Sequence, residues 1–172
     1  MKNLLLLFSL LIIVSGCKEN ENTVADSGDN TATITDAQLF QLVKSSPKAA
    51  YFNNVTDTIP GNSGAAHAGN IFVWYNVQAK SQLTLTGRVQ TNPVFPDSSL
   101  IVKEIFNSTG TKLYYAIMFK FSRASNKGPG DWVWAELNAD GSPFISAAGK
   151  GESCAGCHSP GFDYTRMNDT HP

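Results

Sequence analysis

The sequence predicts an α+β domain, mainly an antiparallel β meander with a few short helices. Two observations carry that expectation. From residue 99 on, apolar and β-branched runs alternate with short turn clusters, so that one strand feeds the next as a hairpin. The first half opens instead on an amphipathic helical pattern, and its helices are expected to pack on one side of the sheet.

Taken in order, Thr35 or Asp36 caps a helix over Ala37 to Lys44, with Leu39, Phe40 and Val43 on one face and Ser46-Pro47 as its stop. Pro60 to Gly64 reads as a loop. Ile71 to Asn76 reads as a strand; Val77 to Leu83 either continues it or turns helical, and periodicity does not decide. Leu100 to Phe106 is the next strand, and Asn107 to Gly110 its hairpin loop. Leu113 to Phe121 follows, with Leu113, Tyr115, Ile117, Phe119 and Phe121 alternating onto one face. Asn126 to Gly130 is a loop, Trp132 to Leu137 a third strand closed by Asn138 to Gly141, and Pro143 to Ala147 a short fourth.

With 172 residues, 42% hydrophobic and 16% charged, the chain can bury one sizeable core and has residues to spare at its N-terminus. Its formal net charge of −1 leaves no basic field for a nucleic-acid partner. Lys2 followed by the apolar run Leu4 to Val14 has the layout of a secretory signal and is too short to span a bilayer comfortably. Val14-Ser15-Gly16-Cys17 resembles a bacterial lipobox, which implies acylation of Cys17 and a firm membrane anchor. The alternative is an ordinary signal peptide that contains a cysteine. The organisation expected is thus a signal peptide over 1–16, a lipidated Cys17 with a polar flexible tether over 17–33, and one folded domain over 34–172. The location implied is a periplasm-facing or surface lipoprotein of a Gram-negative bacterium.

Cys154-Ala155-Gly156-Cys157-His158 is a C-x-x-C-H sequence. Two thiols at this spacing add across the vinyl groups of one porphyrin, and the adjacent histidine is set to ligate the iron, giving one covalently attached haem c. Gly149, Gly151, Ser153, Gly156 and Gly161 leave room for a flat macrocycle. Three alternatives compete: a Cys154–Cys157 disulfide, a redox-active C-x-x-C, and a zinc site. The last two are less natural, because no thioredoxin-like βαβ pattern surrounds the motif and, with Cys17 lipidated, no other cysteine remains towards the four ligands of zinc. In common electron-transfer cytochromes the motif lies near the N-terminus with an axial methionine far downstream. Here a β-rich domain precedes it and only fourteen residues follow His158. Met118, Met167 and His67 are the candidates for a sixth ligand.

Three ordered blocks resemble the cytochrome P-460 and cytochrome c-prime-beta superfamily, closest to lipoprotein members from Bacteroidetes. They are Phe95 to Glu104 (FPDSSLIVKE), Gly130 to Glu136 (GDWVWAE), and Cys154 to His158 followed by Asp163-Tyr164. The resemblance spans about residues 36–168. It implies a small β domain, often dimeric, with a five-coordinate haem that meets hydroxylamine, nitric oxide or another small nitrogen species. It also implies that Lys103 matches a lysine cross-linked to the porphyrin. In the sequence alone Lys103 lies between Ile101 and Ile105 in a strand apolar on both sides, where an ammonium must reach water or a partner.

Oxidation of hydroxylamine at iron needs a proton acceptor; the stretch Ser142 to Gly149 before the motif holds no acid, so Glu104 and Glu136 are the candidates, each more readily read as a solvent-facing strand residue. Asp140 reads as a turn residue. His67 is a candidate distal ligand or proton donor, or an exposed loop residue, and His171 a tail residue. Tyr164 is a candidate to hydrogen-bond a haem propionate or pack near His158, the more usual reading being a plain core tyrosine. Phe72, Trp74, Phe119, Phe121, Trp132 and Trp134 are expected in the core and the walls of the haem cleft. Three functions follow: a haem oxidoreductase acting on a nitrogen species and passing electrons to a periplasmic carrier, a six-coordinate electron-transfer cytochrome, and a nitric oxide binding protein. Exposed meander edges make a homodimer plausible.

Overall fold

The computed structural model describes residues 31–62 and 66–167; the lipobox, Cys17, nearly all of the tether and His171 lie outside them. The pattern read from the sequence as α+β is present as a mostly antiparallel sheet with a few short helices. In chain order the elements are α1 (Asp36–Ser45), β1 (Ala50–Tyr51), β2 (Ile59–Pro60), β3 (Asn70–Tyr75), α2 (Val77–Lys80), β4 (Leu100–Phe106), β5 (Lys112–Lys120), β6 (Trp132–Asn138), β7 (Pro143–Ile145) and α3 (Glu152–His158). The strands form one sheet in the order β1-β3-β4-β5-β6-β7, with β2 also paired to β3. Every pairing between these strands is antiparallel.

The Thr35 hydroxyl accepts from Gln38 N while the Gln38 side chain accepts from Thr35 N, a reciprocal cap that starts α1 where the sequence placed it. The segment that periodicity left undecided breaks at Asn76. That side chain caps α2 by accepting from Ala79 N and also accepts from Leu100 N, so it ends β3 and ties β4 to it. Ala32, within the stretch read as tether, is bonded to the domain: its N–H donates to the Arg123 carbonyl and its carbonyl accepts from Ser125 N.

Helices pack on both faces of the sheet, which corrects the expectation of one helical side. The cause is visible in β4 and β6, which are buried along nearly their whole length, alternate positions facing opposite ways. One face carries Trp74, Leu100, Val102, Tyr115, Ile117, Phe119, Val133 and Leu137 under α1, through Leu39 and Val43. The other carries Ile71, Val73, Tyr75, Ile101, Ile105, Met118, Trp132 and Trp134 beneath Ala79 of α2, Phe95, Met167 and Cys154 of α3. Phe72, Trp74, Phe119 and Phe121 therefore belong to the α1 face, and only Trp132 and Trp134 of the expected cleft aromatics lie on the side of α3.

Candidate functional site

Cross-strand register assembles the floor of a cleft on the α3 side. Val73, Lys103, Ala116 and Glu136 pair in one row across β3 to β6, and Tyr75, Ile101, Met118 and Trp134 pair in the next row of the same face. Paired residues point the same way, so Lys103 and Glu136 stand two strand spacings apart, about 10 Å, on either side of the small Ala116. The cleft takes in His67, Lys103, Met118, Trp134, Glu136, Cys154, Cys157, His158 and Met167.

α3 forms the opposite wall. Gly151 begins it in the left-handed region (φ +72°), packed so closely on Trp134 that a Cβ there would lie 2.2 Å from the indole Cδ1. Cys154 and Cys157 follow one helical turn apart and both reach the cleft as free thiols. Burial pushes the Cys154 thiol up, opposed by a hydrogen bond from Ser153. Of the five small residues expected to make room for a macrocycle, Gly149 and Gly156 have nothing within 4 Å of a would-be Cβ. Gly151 and Gly161 serve the protein's own packing instead, against Trp134 and the Thr165 carbonyl.

His158 is held from two directions. Its ring stands edge-on to Trp134, with centroids 5.0 Å apart and planes at 77°. Its Nδ1 lies 2.8 Å from the Tyr164 carbonyl oxygen. A carbonyl only accepts, so Nδ1 carries the proton and, in the neutral ring, Nε2 carries the lone pair that ligates a metal. Tyr164 thus acts through its backbone, while its ring packs on Trp134 at 6.4 Å. Asp163 and Tyr164 both adopt left-handed backbone (φ +46° and +63°), a conformation that costs roughly 1–3 kcal/mol per non-glycine residue and persists where surroundings impose it.

Across the cleft His67 Nε2 and Glu136 Oε1 are 2.9 Å apart, both side chains about nine-tenths buried. Glu136 is therefore inside the cleft rather than facing solvent. Glu104, the other acid named from the sequence, is on the α1 face, where it bonds Lys48, Trp74 and Lys112 and does not reach the cleft. Asp140 accepts from Ser142 in the exposed β6–β7 turn, as its sequence context suggested. Met118 and Met167 are each 7% exposed and line the cleft. Sequence reasoning gave no weight to Arg166, which lines the cleft and donates to the Cys157 carbonyl, or to Lys120, which pairs with Asp163.

Lys103 is 9% exposed. Burial pushes its ammonium down to about 8, partly offset by the charge of Glu136. Between that value and the ordinary lysine value near 10.4, the unfolded chain binds more protons than the folded one, so stability rises with pH across this window. In the haem-free protein (Cys154→Ser/Cys157→Ser), urea midpoints measured from pH 7.5 to 10.5 are expected to show that rise. Lys103→Met is expected to remove it; an identical slope in the variant would refute the assignment.

The residues suit a haem. Two thiols one turn apart and an adjacent tautomer-fixed histidine, all lining one cleft, are the donor set that covalent haem needs. The Trp134 Nε1–H in the same wall is buried with no acceptor among the described residues. No three His, Cys, Asp or Glu among the described residues converge as they would around a bare metal ion; a porphyrin brings its own four nitrogens. No protein-family model and no curated protein matches the chain.

Proposed function

We propose that this chain is an exported, lipid-anchored mono-haem c-type cytochrome whose iron meets a small nitrogen species such as hydroxylamine or nitric oxide. The observation that carries the reading is the convergence of Cys154, Cys157 and His158 with the His67–Glu136 pair and Lys103 on one cleft. Cys154 and Cys157 would hold the group and His158 Nε2 would ligate it. When bound, haem supplies an iron that coordinates the nitrogen ligand and takes up its electrons. Glu136 is placed to accept protons released on oxidation, and His67 at 2.9 Å is placed to take them from it. Lys103 in the cleft is consistent with the resemblance to the cytochrome P-460 family, in which a lysine is linked to the porphyrin. Electrons would leave to a periplasmic carrier.

A second reading is favoured by one specific feature. Met118 and Met167 are both buried in the cleft, where a thioether ligand would make the iron six-coordinate and the protein an electron shuttle.

Intact mass and optical and resonance Raman spectra of the secreted protein separate these readings. A mass raised by one haem and lost in Cys154→Ser/Cys157→Ser, with five-coordinate iron responsive to nitric oxide and hydroxylamine, is expected. If hydroxylamine is oxidised, Glu136→Gln should slow it about 10²–10⁴-fold while leaving nitric oxide binding intact. A sharp low-spin spectrum indifferent to both ligands would discard the first reading for the second.

A further inference from the structure

We propose that Asp163, clamped by Lys120, is a positioning residue for His158: the pair holds the left-handed turn whose Tyr164 carbonyl orients the axial imidazole. The inference rests on the reading of His158 as the iron ligand. Asp163 lies in a short polar turn after α3, where an unremarkable loop residue would be expected. It is instead fixed from three directions. Lys120 Nζ at the end of β5 donates to both carboxylate oxygens at 3.0 and 2.8 Å. The Phe95 N–H donates to Oδ2 at 3.3 Å. Trp132 Nε1 at the start of β6 donates to the Asp163 carbonyl at 3.0 Å and lies 3.4 Å from Oδ1. The lysine also sits 4.9 Å over the Trp132 ring, and the ion pair is largely shielded, at 12% and 15% side-chain exposure.

Such constraint on two consecutive left-handed non-glycine residues sets the next carbonyl, and that carbonyl meets the imidazole at 2.8 Å. A histidine whose Nδ1–H is held by a strong acceptor is a more basic ligand through Nε2, which favours oxidised iron. Releasing the turn should weaken that bond without touching any residue of the cleft.

The test compares the wild-type holoprotein with Lys120→Met, Asp163→Asn and Lys120→Arg, reading the iron–histidine stretching frequency in ferrous protein and the midpoint potential. Lys120→Met and Asp163→Asn are expected to lower the frequency and raise the potential, and Lys120→Arg, which keeps the ion pair, to restore both. If Lys120→Met yields no folded holoprotein, Lys120→Gln is read in its place. A fall in melting temperature with frequency and potential unchanged makes the pair purely structural and overturns the proposal. Wild type that carries haem with these unchanged signatures in the variants sinks this inference alone. Wild type without haem sinks the reading beneath it as well.

Discussion

Gly151→Ala is expected to destabilise the protein by about 2–4 kcal/mol and to reduce haem attachment. Two costs add. The residue sits at φ +72°, where a Cβ is strained. The new carbon would also lie 2.2 Å from Trp134 Cδ1 and 2.7 Å from Cγ and Nε1, and an overpacked core costs about 1–3 kcal/mol. Trp134 is 2% exposed and pinned on the sheet, so the indole cannot swing into water. Either it shifts into the His158 ring that it abuts or α3 lifts away, and both moves disturb the motif. The fitting control is Gly156→Ala, within the helix and with nothing near its would-be Cβ. In the haem-free protein that change should be neutral or stabilising by up to about 1 kcal/mol. Denaturant midpoints decide: a Gly151→Ala protein as stable as wild type would disprove the packing account.

What the sequence revealed and what it hid divide along physical lines. Alternation marked β4, β5 and β6 to within a residue or two, because period 2 is a local signal. The capping residues of α1 were legible for the same reason. Alternation does not say which face meets which partner. In the alternating set of β5, Tyr115, Ile117 and Phe119 lie under α1, and Phe121 just beyond the strand packs against the same cluster. The cleft is built on the less conspicuous set, Tyr114, Ala116 and Met118. Register across strands is what joined Lys103 to Glu136, while alternation within β4 turned Glu104, one residue from Lys103, to the opposite face. Sequence spacing offered no sign that Lys120 and Asp163 meet, since forty-three residues separate them. The C-x-x-C-H run and its three rivals were fully legible, because the motif is a local run of five residues.

Glu104→Gln is the converse case, a large expected loss of stability with little effect on the cleft. The residue is 4% exposed. Its Oε1 accepts from Lys48 Nζ at 2.7 Å and Trp74 Nε1 at 2.8 Å, and its Oε2 from Lys112 Nζ at 2.6 Å. Lys48 lies 4.7 Å over the Phe72 ring and Lys112 4.8 Å over Tyr115, so both ammonium groups bridge aromatic faces to the carboxylate. An amide turns one acceptor into a donor facing a lysine. Breaking a buried pair costs about 3–5 kcal/mol, but Lys48 and Lys112 are 39% and 29% exposed and can turn to water. About 2–3 kcal/mol is the expected loss. Replacing all three with methionine should recover part of it, because no charge is then left behind. Burial alone would raise the Glu104 carboxyl, but the hydrogen bonds and charges of Lys112 and Lys48 outweigh it and hold it below the ordinary value. A depressed carboxyl contributes its stability above the unfolded value, near 4.3, and loses it as pH falls through the lower folded value. Wild type should therefore lose stability below about pH 4.3 more steeply than Glu104→Gln. Equal acid slopes, or a haem spectrum altered as much as in Glu136→Gln, would show that β4 does not separate a structural acid on one face from a working cleft on the other.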